Sequence, residues 1–157
     1  MEHLKNLAAI PLVIAALAGC EKHSLDRQMQ ELCAKDGGIR VYETVKLPSV
    51  LFDPFGDPYP GWRSRPDEQR LGEGYSLARE TTVLKDGDPM KGQGRLSRYE
   101  YRIIRSVDKK ILGEAILYGR AGGDIFAFGH FTSKGCPEKL GAPTTLIRQV
   151  FINAEGN

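Results

Sequence analysis

Only Asp108-Lys109-Lys110 separate two segments, Arg95–Val107 and Ile111–Arg120, that both carry the β-branched and aromatic composition of strands. Three residues can turn a strand back antiparallel to itself, whereas a parallel crossover needs a dozen or more. Two further connections are short as well: Asp86-Gly87-Asp88-Pro89 after Gly74–Lys85, and Ala121-Gly122-Gly123-Asp124 before Ile125–Phe131. Three such returns in succession predict an antiparallel meander. Within Arg95–Val107, Leu96, Arg98, Glu100, Arg102 and Ile104 share one face, and Tyr99, Tyr101, Ile103 and Arg105 share the other. Such a strand either meets an anionic lipid or glycan or simply turns a charged face to water.

Ahead of this region, Ser24–Asp36 reads as a helix. Ser24 suits its cap, and Leu25, Met29, Leu32 and Cys33 form one apolar stripe at helical spacing. Gly37-Gly38 then provide a left-handed stop. Ile39–Leu47 alternates with period two and reads as a strand. The tail, 144–152, is ambiguous between strand and short helix, and its branched Ile147, Val150 and Ile152 favour strand. The expected class is α+β: an N-terminal helix packed on an antiparallel sheet of about five strands.

Between Pro48 and Pro66 the periodicity vanishes. The stretch PSVLFDPFGDPYPGWRSRP is rich in proline and carries Phe52, Phe55, Tyr59 and Trp62. A loop of this length is usually functional or disordered, and its aromatics argue against disorder. Either the aromatics plug the sheet, or they form a binding surface on proline-stiffened backbone. The candidate surface is Phe55, Tyr59, Trp62, Arg63 and Arg65.

The first residues carry a different signal. After Lys5, an apolar run of 12 residues, Leu7–Ala18, ends in Leu17-Ala18-Gly19-Cys20. A membrane-spanning helix needs about 20 such residues, and the layout is that of a secretory signal. LAGC resembles the lipobox of bacterial lipoproteins, position by position. The resemblance implies removal of residues 1–19, acylation of Cys20 on its sulfur and amino group, and attachment to the cell envelope. Glu21 at the next position implies the outer membrane, facing the periplasm. An ordinary signal peptide or an N-terminal core helix is the alternative. Similarly, CAKDGGIRVYETVKLP resembles a block of small uncharacterised envelope proteins of proteobacteria, which implies no particular activity.

A mature chain of 138 of the 157 residues is enough for one domain, residues 20–157. With Cys20 acylated, Cys33 and Cys136 remain as an even pair in an oxidising compartment, pointing to a disulfide, with two buried thiols as the alternative. His23 and His130 make no ligand cluster with them, and no metal or other cofactor is expected. The net charge of +2 gives no reason to expect a nucleic acid partner.

Catalytic signatures are thin. Gly74-Tyr75-Ser76-Leu77-Ala78 falls one residue short of a nucleophile elbow, although Asp124 and His130 follow in the order of a hydrolase triad. Ser76, however, lies in strand-like sequence. Gly92-Gln93-Gly94 lacks the rest of a phosphate loop. Asp53, Asp57, Asp67 and Glu68 supply carboxylates without a spacing that fixes their separation. The expected function is therefore noncatalytic: a lipid-anchored binding or interaction module whose partners are the membrane and an envelope protein. The alternatives are a small envelope hydrolase and a structural or inhibitory subunit of an envelope complex.

Overall fold

A computed structural model describes residues 21–66, 70–124, 130–138 and 141–155. The signal segment with Cys20, Asp67 and Glu68, and most of the strand expected at 125–131 lie outside the described residues. The architecture is α+β. A helix, α1, covers residues 21–36. It is followed by β1 (Gly38–Val41), β2 (Val45–Leu47), β3 (Tyr75–Lys85), β4 (Arg95–Arg105), β5 (Ile111–Ala121), β6 (Ser133–Cys136), α2 (Thr144–Val150) and β7 (Phe151–Asn153).

Five strands form one sheet in the order β1-β5-β4-β3, with β6 also on β5. β3, β4 and β5 are neighbours in chain order, as the short connections predict. The first strand departs from a simple meander: β1 pairs antiparallel with Gly113–Ile116 of β5, and β6 pairs antiparallel with Tyr118–Ala121. The described residues pack as two compact units, one drawn from 21–36, 82–98 and 118–138, the other from 37–81, 99–117 and 141–155.

In the first unit α1 buries Leu25, Met29 and Cys33, three of the four residues of its predicted stripe. The helix already runs at Glu21, so Ser24 sits inside it rather than capping it. The positive φ near its end falls at Gly38, 119°, the first residue of β1. Cys33 and Cys136 form a disulfide, with Cα atoms 6.0 Å apart, which ties α1 to β6 across 103 residues of sequence. Arg120 on β5 is almost fully buried. Its Nε donates to Asp26 Oδ1 at 2.8 Å, and its Nη1 donates to the carbonyls of Gly122 and Thr132, each at 2.9 Å. The guanidinium thus meets its acceptors on both α1 and the chain beyond β5, as a buried cation must.

The second unit holds a core built on Leu77, Ile103, Leu112 and Ala115 from the sheet and Leu146, Ile147 and Val150 from α2. A Cβ on Gly113 would come within 2.9 Å of Val150 Cγ2 and 3.1 Å of Leu146 Cδ1, so the missing side chain lets α2 approach β5 closely. The tail that favoured strand is mainly helix. Leu146, Ile147 and Val150 fall at helical spacing on one buried face, and the extended part, β7, begins only at Phe151. β7 pairs in parallel with β2, Val45 opposite Phe151. The strand expected at 39–47 is accordingly broken. The N–H groups of Tyr42 and Glu43 both donate to the Leu112 carbonyl, the chain bends, and β2 pairs with β7 instead of β5.

Of the strand expected at 125–131 only residues 130 and 131 are described, and they lie outside any strand; the next described strand after β5 is Ser133–Cys136. Asp124 explains the return. Its carboxylate accepts the Thr132 N–H at 2.8 Å and the Thr132 hydroxyl at 2.8 Å, closing the loop just before β6.

Candidate functional site

The proline and aromatic segment folds back on the second unit as an ordered loop. Its first half is a turn organised by Asp53, whose Oδ1 accepts the N–H of Phe55 at 2.9 Å and of Asp57 at 2.8 Å. Gly56, at φ 77°, donates to the Asp53 carbonyl, and Asp53 N–H donates to the Asp57 carbonyl. A side chain that takes over backbone N–H groups in this way fixes a turn without a ladder. Phe52 and Pro58 form an isolated bridge at its base. Phe55 is left 83% exposed at the tip.

Tyr59 and Trp62 are core residues, which corrects the expectation that they belong to a surface. Tyr59 is 9% and Trp62 3% exposed. The Tyr59 ring meets Phe151 edge to face at 5.3 Å, and Tyr75 meets the same ring at 5.0 Å. Burial pushes the Tyr59 hydroxyl up to about 12. Its backbone sits at φ 53°, a left-handed conformation uncommon for a bulky residue. Trp62 Nε1 is buried and finds no hydrogen-bond acceptor among the described residues. The Arg63 guanidinium lies 4.8 Å from the centre of its ring and that of Arg70 5.8 Å. Both guanidinium groups are within the range of attraction to the ring's π-system.

Asp57 holds the loop to the rest of the unit. It is 5% exposed and accepts from Arg148 Nε at 2.6 Å and Arg63 Nη1 at 3.2 Å. Arg63 Nη2 also donates to Thr144 Oγ1 at 3.2 Å. The Arg148 hydrogen bond, opposed by burial and helped by Arg63, holds the Asp57 carboxyl below its ordinary range. The sequence offers Asp57 only as one carboxylate among several and does not single out Arg148. The two are 91 residues apart, and no spacing rule links a loop aspartate to an arginine on a distant helix.

Between this loop and the α2–β7 junction lies an open cleft of about 530 Å³, lined by Phe52, Asp53, Pro54 and Gly56 on one side and Arg148, Phe151, Ile152 and Asn153 on the other. Of the predicted surface residues, Phe55, Arg63 and Arg65 are exposed. Arg65 is steadied by a 2.9 Å bond from Nη2 to the Pro60 carbonyl. The arrangement offers an apolar tip, partly neutralised guanidinium groups and a concave floor. Among the described residues it holds no nucleophile aligned with a base.

The other catalytic candidates resolve into structural roles. Ser76 lies within β3, without the strand–turn–helix context that a nucleophile elbow needs. Asp124 is occupied by Thr132 and by Lys22 Nζ at 2.8 Å, and Lys22 first among these holds its carboxyl down to about 2. Gly94 is buried against α1, where a Cβ would fall 2.2 Å from Leu25 Cδ1. Gly92-Gln93-Gly94 is thus a packing turn. Among the described residues no group of three or more His, Cys, Asp or Glu side chains is placed to hold a metal ion. No helix among them is long and apolar enough to cross a membrane.

The alternation read in β4 appears as a charged sheet face. Arg102 pairs with Glu80 at 3.1 Å and with Glu100, Arg40 pairs with Glu114 at 3.0 Å, and Tyr42 donates to the same Glu114 oxygen at 2.6 Å. Each of these cations has an acidic partner on the same sheet. The face is therefore a mixed-charge one rather than a basic one.

No protein-family model, no curated protein and no solved structure matches the chain.

Proposed function

We propose that this chain is a lipid-anchored envelope protein that works as a noncatalytic binding module, with Phe55, the flanking Arg63 and Arg65, and the cleft beside them as its contact surface. One observation carries the reading: the loop 48–66 is fixed from below and bare on top. Asp53 closes its turn, Tyr59 and Trp62 anchor it in the core, and Asp57 joins it to α2 through Arg148, while Phe55 stays 83% exposed. A large apolar side chain held at the tip of a pre-ordered loop can insert into a partner with little ordering cost. The lipid anchor rests on the likeness of Leu17–Cys20 to a lipobox, and two or more acyl chains suffice to hold a domain at a bilayer.

The test is photo-crosslinking in cells from position 65, in the otherwise unaltered chain and in Phe55→Ala, alongside the mass of the N-terminal peptide. A discrete crosslinked envelope protein that disappears in Phe55→Ala, together with an acylated Cys20, is the expected result. Identical crosslinks in both chains reject the loop as the contact surface. Hydrolysis of a cell-wall substrate by the purified protein, abolished by a single side-chain change, rejects the noncatalytic reading.

A further inference from the structure

The residues that follow Cys20 leave no slack between it and the folded body. Glu21 and Lys22 already belong to α1, and each is ion-paired at once: Glu21 with Lys85, and Lys22 with Asp124 at 2.8 Å. A Cβ built on Gly123 would lie 3.3 Å from both the N and Cα of Lys22, and one on Gly122 would lie 2.3 Å from the Gln93 carbonyl oxygen. Residues 85–94 and 122–124 therefore form a rim packed around the start of α1, all within the first unit. Consecutive Cα atoms are about 3.8 Å apart. An acylated Cys20 consequently holds this rim next to the bilayer.

The rim is built for that position. Its most exposed large apolar side chain is Met90, 57% exposed on a tight turn over Pro89–Lys91. The turn is fixed by Asp88, whose Oδ1 accepts the Met90 N–H at 3.1 Å, and by Gln93, whose N–H donates to the Asp88 carbonyl at 3.0 Å. Its charges are matched: Lys91 with Asp88 at 3.5 Å and Arg95 with Asp86 at 2.9 Å, beside the Glu21–Lys85 and Lys22–Asp124 pairs. A surface so balanced is neither repelled by lipid headgroups nor dependent on anionic ones. We infer that this rim is the membrane-apposed face of the protein, with Met90 at the headgroup level of the bilayer. The inference rests on the proposed acylation of Cys20 and goes beyond it, since a lipid on a long flexible tether would impose no orientation.

Amide hydrogen exchange on the acylated full chain bound to phosphatidylcholine vesicles, compared with the Cys20→Ser chain mixed with the same vesicles, tests it. Exchange over 89–93 is expected to slow at least several-fold in the acylated protein, and the slowing to shrink in Met90→Asp. Residues 31–36 at the other end of α1, about 15 Å or more along its axis at about 1.5 Å per residue, are expected to exchange alike in both. An acylated protein that floats with the vesicles yet shows unslowed exchange at 89–93, or equal slowing at 31–36, overturns the orientation while leaving the anchor intact. Slowing that appears only when anionic lipid is added overturns the anchor-driven account. Absence of acyl mass on the N-terminal peptide, with no flotation, removes both the anchor and the orientation.

Discussion

Asp57 ties the loop to α2 through a carboxylate that is buried while its two guanidinium partners are half exposed. Hydrogen bonds to charged groups are worth about 1.5–3 kcal/mol, less where one partner is in water. Asp57→Ala is thus expected to lower stability by about 1–2 kcal/mol in urea unfolding. It is also expected to weaken any binding that needs the loop in place. Trp62→Ala, which empties a core site, is expected to cost about 3–5 kcal/mol. Phe55→Ala is expected to stay within about 0.5 kcal/mol of the parent, since its ring touches water. Equal costs for Trp62→Ala and Phe55→Ala would refute the separation of the loop into a buried anchor and an exposed tip.

Among the elements, α1 and α2 are held by different means. α1 is cross-linked to β6 by a disulfide that closes about 100 residues, for which chain entropy predicts close to 4.7 kcal/mol at most. Reducing the oxidised protein should lower its thermal midpoint by many degrees, and Cys33→Ser with Cys136→Ser should reproduce that midpoint without reductant. α2, only seven residues long, has no such tie and relies on its close approach to Gly113. Gly113→Ala should destabilise by about 1–3 kcal/mol through overpacking against Val150 and Leu146. Calorimetry of this variant showing an unchanged midpoint would mean that α2 yields freely.

The whole molecule should be sensitive to acid in a definite direction. Arg105 first, for Asp108, and Lys22 first, for Asp124, hold these carboxyls down to about 2 in the folded protein, against about 4 when unfolded. A carboxyl depressed by folding stabilises fully above its unfolded value, and that contribution is lost as pH falls through the folded one. The thermal midpoint should therefore hold near neutrality and decline between about pH 4 and about pH 2. Asp124→Asn should flatten that decline, and an unchanged slope would remove Asp124 from the account.

Much of this architecture was legible before any coordinates. Period-two alternation and short returns marked β3, β4 and β5, helical spacing marked the buried stripe of α1, and cysteine parity pointed to Cys33 with Cys136, because all three signals are local or arithmetic. What the tertiary structure alone decided is non-local: that the chain leaves the main sheet after Val41, that its tail coils into α2 before pairing with β2, and that Tyr59 and Trp62 turn inward while Phe55 turns out. An aromatic residue in a loop has the same composition whether it plugs a core or faces a partner, and only the surface it meets chooses between them. The same holds for Asp57 and Arg148, whose pairing across 91 residues is a product of packing and leaves no trace in local spacing.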